Sequence, residues 1–188
     1  IALIETAVER FGRLDILVNN AGVMLLGPIV DAPVEEWERM ISLNLNGLLY
    51  CAHAALPHLL RAAEDSPRQV ADLVNISSVA HFRYDGGGAA LYAVTKTAIA
   101  RMTEALSVEW AHYNINVNAI APGMFVSEMT DGMFERMGGN PAQHLPRKRV
   151  PVPEQMDSTL LYLVAPSSEC VTGATIRIDD GQSARTRM

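Results

Sequence analysis

The run Leu14-Asp15-Ile16-Leu17-Val18-Asn19-Asn20-Ala21-Gly22 (LDILVNNAG) decides the fold. Its first half is apolar and largely branched, the composition of a strand buried on both faces. Two asparagines then end it. Asparagine favours turns because its side chain bonds nearby backbone and tolerates unusual φ. The strand therefore leaves the core carrying polar amides at its carboxyl end.

The rest of the chain repeats this plan. Before the run, residues 1–11 set Ile1, Ile4, Ala7, Val8 and Phe11 on one helical face, and Gly12 is a C-terminal stop. After it, Asp31-Ala32-Pro33 announces a helix, since proline suits a first turn. Over 34–63, Trp37, Ile41, Leu48, Ala52, Ala55 and Leu59 trace a long apolar stripe, which Pro57 is expected to kink or loosen near its end. A strand is expected over 70–76, a helix over 89–112, a strand over 115–121, a helix over 153–165 and a strand over 174–178. Apolar strands alternating with amphipathic helices indicate an α/β fold: a Rossmann-like, doubly wound parallel sheet with helices on both faces, in one domain over 1–188. With right-handed crossovers, the polar turns Asn19-Asn20, Ser77-Ser78 and Pro122-Gly123 gather at one sheet edge, where ligands of such sheets bind.

Composition excludes several functions. The formal net charge is −6, from 15 basic and 21 acidic residues, which argues against nucleic acid or an anionic membrane as main partner. The basic cluster Arg147-Lys148-Arg149 is short and reads as a loop meeting a helix N-terminus or an acidic neighbour. Cys51 and Cys170 lie far apart without CxxC spacing, as free thiols in a reducing, cytoplasmic setting would. No apolar run is long enough to span a bilayer, and the five histidines show no metal-ligand spacing.

The chemistry concentrates in Tyr92 and Lys96, four apart on the helix expected over 89–112 and so on one face. A nearby ammonium favours the phenolate, which would bring the phenol toward the range useful in acid–base catalysis. Ser77 and Ser78 end the preceding strand, where a hydroxyl could reach an oxygen beside Tyr92. Asn44 lies on the apolar stripe, either as a structural cap or holding a water chain that ends on Lys96.

These pieces resemble the short-chain dehydrogenase/reductases. The matching segments are Asn19-Asn20-Ala21-Gly22, Asn44-Leu-Asn-Gly47, Asn75-Ile-Ser-Ser78, Tyr92-x-x-x-Lys96, Asn118-Ala-Ile-Ala-Pro122-Gly123 and Val171-Thr-Gly173 before Asp179-Asp180-Gly181. The resemblance implies an oxidoreductase that uses NAD or NADP to interconvert a carbonyl and a secondary alcohol. It implies that Tyr92 is the acid or base and that Ser78, with Ser77 as the alternative, orients the substrate oxygen. Lys96 would lower the Tyr92 pKa and bond the nicotinamide ribose, and Asn44 would hold a proton-relaying water. Asn19, Ala21 and Gly22 would sit beside the cofactor, with Pro122, Gly123 and Ser127 at the nicotinamide. Residues 124–150 would form the substrate lid, rich in Met and Phe, and a 3-oxoacyl thioester leads as substrate. The helices at 34–63 and 89–112 resemble the family's interface, which implies a homodimer or homotetramer.

Two departures stand out. The interval from Ser78 to Tyr92 is about one residue longer than the family pattern, an insertion that the loop 81–88 can absorb. No Thr-Gly-x-x-x-Gly-x-Gly turn precedes Leu14, so the fold is expected to be N-terminally incomplete. The explanations are a longer parent protein, a truncated chain dimerising through its bare edge, or a second chain supplying the missing half. The alternative function is a non-catalytic interaction or structural protein on the same fold, without strong cofactor binding.

Overall fold

The computed structural model describes residues 2–84, 86–130 and 141–184. Four parallel strands form one sheet in the order β1-β2-β3-β4: β1 Ile16–Asn19, β2 Ala71–Ile76, β3 Ile115–Pro122 and β4 Thr175–Ile178. Leu17 pairs with Leu73, Leu73 with Val117, and Ile120 with Ile176. All four carboxyl ends therefore lie along one edge.

Helices cover both faces. On one face, α1 (Ala2–Phe11), α3 (Leu48–Asp65) and α4 (Ala90–Glu109) bring Ile4, Ala52, Ala55, Leu59 and Leu106 onto Leu17, Leu73, Ile115 and Val117. On the other, α5 (Asp157–Leu163) sets Leu160 and Leu163 against Val18, Val74, Ile120 and Ile176. The faces alternate residue by residue, as the strand period of two requires. Each connection steps the same way across the sheet, yet α5 lies opposite α3 and α4. The last crossover thus has the opposite hand to the two before it, a departure from uniformly right-handed crossovers.

The helix expected over 34–63 is not continuous. It comprises α2 (Val34–Ile41), a π-helical turn at Ser42–Gly47, and α3. Burial follows the wider turn: Met40, Asn44, Leu48 and Ala52 point inward at steps of four, and Ile41 is exposed. Pro57 stands inside α3, which runs on to Asp65. At the start of the chain Ile4 is buried but Phe11 is exposed, and Ile1 lies outside the described residues. Gly12 ends α1, its N–H donating to the Val8 carbonyl at 2.8 Å. The basic cluster meets an acidic neighbour, since Arg147 and Arg149 both bond the Asp180 carboxylate, at 2.9 and 2.8 Å.

Candidate active site

The carboxyl ends of β1, β2 and β3 open into a cleft of about 710 Å³. Asn20, Ala21 and Gly22 line it from β1, Ser77 and Ser78 from β2, and Pro122, Gly123 and Ser127 from β3 and the loop beyond. Tyr92 and Lys96 enter from α4. Met24, Phe125, Met129, Leu145 and Met156 make the outer part apolar. Of the expected lid, residues 124–127, Met129, Thr130 and Leu145 border the cleft, while Met133, Phe134 and Met137 lie outside the described residues.

The two serines separate. Ser77 Oγ donates to the Lys96 carbonyl at 2.9 Å and so turns back into α4. Ser78 Oγ accepts the Ala80 N–H at 3.2 Å, and its hydroxyl acts to lower the Tyr92 pKa. His81 fixes this turn, its Nδ1 lying 2.7 Å from the Ser78 carbonyl. Burial holds the His81 pKa down, so the ring stays neutral, with Nδ1–H donating.

Lys96 is 3% exposed. Its Nζ donates to the Ile76 carbonyl at 2.8 Å and lies 5.6 Å from the centre of the Tyr92 ring. Among the described residues no carboxylate compensates this ammonium, and burial pushes its pKa down to about 8. Burial also pushes the Tyr92 phenol up, with the Ser78 hydroxyl opposing. The expected lowering of Tyr92 by Lys96 is therefore not the balance seen. Desolvation outweighs an ammonium that lies near the ring and is itself held by a carbonyl. In this state the phenol keeps its proton.

Asn44 sits one layer behind. Its Oδ1 accepts the Val23 N–H at 2.8 Å, and its Nδ2 donates to the Val23 carbonyl and to Thr95 Oγ1, at 2.9 and 3.2 Å. The side chain clamps the loop after β1 onto α4, beside the reacting groups. A Cβ added at Gly22 would come within 3.3 Å of Asn44 Oδ1 and 3.5 Å of Lys96 Nζ. Asn19 does not line the cleft. It donates to Asn75 Oδ1 at 3.0 Å, Asn75 donates to Thr103 Oγ1 at 3.0 Å, and Thr103 to the Ile99 carbonyl at 2.9 Å. This buried chain ties two strand ends to α4, and its neighbour Asn20 reaches the cleft.

Gln182 is a site residue that the sequence reading missed. It accepts the Met124 N–H and donates to the Met124 carbonyl, at 2.6 and 3.2 Å, and so pins the turn after β3. Gly123 is required there, because a Cβ would lie 2.6 Å from Gln182 Oε1. The only available signal was position, just past the Asp179-Asp180-Gly181 run. Among the described residues no three His, Cys, Asp or Glu side chains converge as a metal site would need.

A family model described as Enoyl-(Acyl carrier protein) reductase matches residues 1–183. The chain belongs to the short-chain dehydrogenase/reductase family. This short-chain dehydrogenase/reductase is 33% identical over 179 residues to the 3-oxoacyl-[acyl-carrier-protein] reductase of Thermotoga maritima, covering 95% of this chain and 70% of that protein. It is 34% identical over 188 residues to the short-chain reductase NovJ of Streptomyces niveus, covering 96% and 69%. Among solved structures, a gluconate 5-dehydrogenase from Burkholderia cenocepacia, in complex with NADP and tartrate, superposes with a TM-score of 0.88 at 27% identity, covering 98% of this chain and 71% of that one.

Proposed function

We propose that this protein interconverts a carbonyl and a secondary alcohol, with NAD or NADP as partner and a 3-oxoacyl thioester as leading substrate. The observation that carries the reading is the convergence of Ser78, Tyr92 and Lys96 at the floor of one cleft. The cofactor, when bound, supplies or accepts the hydride. The nicotinamide-ribose end fits the residues present. The buried Lys96 ammonium donates to one carbonyl, and its other N–H groups find no protein acceptor among the described residues, as ribose hydroxyls would require. Asn20, Ala21 and Gly22 from one strand end, and Pro122, Gly123 and Ser127 from another, line the cleft and would hold the cofactor there. No residue here is assigned to the pyrophosphate.

In the reducing direction, Tyr92 gives its proton to the carbonyl oxygen as negative charge grows there, and Ser78 hydrogen-bonds the same oxygen. Asn44 and Asn19 act through others, holding the β1 loop and the strand ends in place. From the segment expected as the lid, Met124 and Met129 line the cleft, and methionines adapt to an acyl chain. The acyl preference is supported by the name of the Thermotoga relative and by the apolar outer cleft. Tyr50, Val94 and Val108, exposed on α3 and α4, support a homodimer or homotetramer, and the unpaired Cys51 and Cys170 support a cytoplasmic setting.

The test is cofactor-dependent reduction of a panel of 3-oxoacyl thioesters, cyclic ketones and keto-sugars by the purified protein. Ser78→Ala is expected to lower kcat about a hundredfold, while Ser77→Ala leaves it within about threefold. No turnover on any of the panel, or equal losses for the two serines, contradicts the reading.

A further inference from the structure

A second cavity lies behind the wall that closes the reaction cleft. Its volume is about 200 Å³, and it sits between residues 25–33 and the starts of α2 and α4. Leu25, Leu26, Met40 and Leu91 make it apolar, and Trp37 adds an aromatic ring. The two charged side chains in its lining, Asp31 and Glu36, are both acidic. Glu36 Oε2 is buried and meets no donor among the described residues.

The two cavities share no lining residue. Met24 and Ala89 face the cleft, and their chain neighbours Leu25, Gly88 and Ala90 face the smaller space. The wall is backbone against backbone: the Gly27 N–H donates to the Gly88 carbonyl at 3.0 Å, and a Cβ on Gly88 would lie 2.6 Å from Gly27 N. Gly88 also holds φ at +76°, so a side chain there is disfavoured twice.

A buried carboxyl oxygen without a donor is unfavourable, and such groups are satisfied in nearly every folded protein. The surrounding wall is mostly apolar, which water fills poorly because each water needs several polar partners. A molecule with a donor at one end and an apolar body satisfies both requirements. Two acidic side chains and an aromatic ring favour that donor as a cationic nitrogen. We propose that this cavity is a second binding site, separate from the reaction cleft, for a small amphipathic amine whose ammonium meets Glu36 and whose apolar body lies against Trp37 and Leu91.

Trp37 provides the readout. The chain has two tryptophans, and the other, Trp110, is buried in the core under α3. Titration with 2-phenylethylammonium is expected to change Trp37 fluorescence saturably, with binding about tenfold tighter than 2-phenylethanol and tighter still than 3-phenylpropionate. Trp37→Phe removes the signal. Glu36→Gln brings ammonium and alcohol to within about twofold, and Ala32→Leu, which fills the cavity from its loop wall, weakens both about tenfold or more. Equal binding of the three compounds, an ammonium preference that survives Glu36→Gln, or wild-type binding by Ala32→Leu overturns the proposal, as does no saturable change at all. None of these outcomes depends on turnover, so the reading of the cleft stands or falls separately.

Discussion

Two edges of the same sheet bury charge in opposite ways. At the amino edge, Asp72 is 1% exposed and fully partnered. Arg68 Nη1 donates to its Oδ2 at 3.0 Å and to the Val164 carbonyl at 2.9 Å, and Asn116 donates to its Oδ1 at 3.4 Å. At the carboxyl edge, Lys96 is 3% exposed and, among the described residues, has only the Ile76 carbonyl and the Tyr92 ring. Burial perturbs both, raising the Asp72 pKa against the pull of Arg68 and lowering that of Lys96 to about 8. The amino edge pairs its two charges within the fold, although Arg68 Nε and Nη2 are buried and meet no acceptor among the described residues. The carboxyl edge leaves a cation facing a cleft, and the missing partner must come from what binds there.

The contrast can be broken most forcefully at Tyr92. Tyr92→Phe removes the acid and keeps the ring, so kcat should fall about 10²- to 10⁴-fold. Urea unfolding should move little, because the ring keeps its packing and a single hydroxyl is worth about 1 kcal/mol net. At the opposite edge the pattern should invert. Asp72→Asn leaves Arg68 without its counter-charge, and urea unfolding should show a loss of about 2–4 kcal/mol, with kcat per folded molecule unchanged. A mutant with normal stability would make the amino-edge pair dispensable.

Asn44→Leu sharpens the comparison between acting groups and positioning groups. It strands the Val23 N–H and C=O, while Thr95 Oγ1 keeps its bond to the Tyr92 carbonyl, so stability should drop by roughly 1–3 kcal/mol. Because the clamp holds the cleft wall, kcat should fall about tenfold while the pH profile keeps its shape. A shifted profile would give Asn44 a proton-transfer role in place of a positioning one.

The effect on the pH dependence of stability is at Lys96. Its folded pKa, about 8, lies below the 10.5 of an exposed lysine. Between those values the unfolded chain holds a proton that the folded chain has shed, so stability rises as pH climbs from about 8 toward 10.5, and this group adds no slope below 8. Lys96→Met removes the buried charge. It should raise stability at neutral pH by roughly 1–3 kcal/mol, flatten that rise, and abolish activity. Differential scanning calorimetry across pH reads both.

Much of this was legible in the sequence because buried parallel strands read as unbroken apolar runs. The run from Leu14 to Gly22, Asn75-Ile-Ser-Ser78 and Ile115 to Pro122 each announced a strand and its polar exit. What stayed hidden depends on phase or on partners distant in sequence. A helical period of 3.6 put Ile41 inward, while the π turn at Ser42–Gly47 turns Met40 inward in its place. Asn19 and Asn20 are alike in sequence, and only the pleat decides that Asn19 bonds Asn75 while Asn20 meets the cleft. The Tyr92–Lys96 spacing showed nearness but not dehydration, which reverses the expected pKa shift of the phenol. Arg68 and Asp72 were four apart in plain view, yet their burial follows from α5 closing over them through Val164.

Lys96 and Lys148 are the chain's two lysines, so the side-chain resonances of each can be assigned by substitution. An NMR pH titration of carbon-labelled lysine therefore tests the uncompensated cation most directly. Lys96 is expected to titrate near 8, well below the 10.5 of an exposed lysine, and its signal to disappear in Lys96→Met. A Lys96 that titrates near 10.5 would show an ammonium already solvated or paired, and would remove the difference between the two edges.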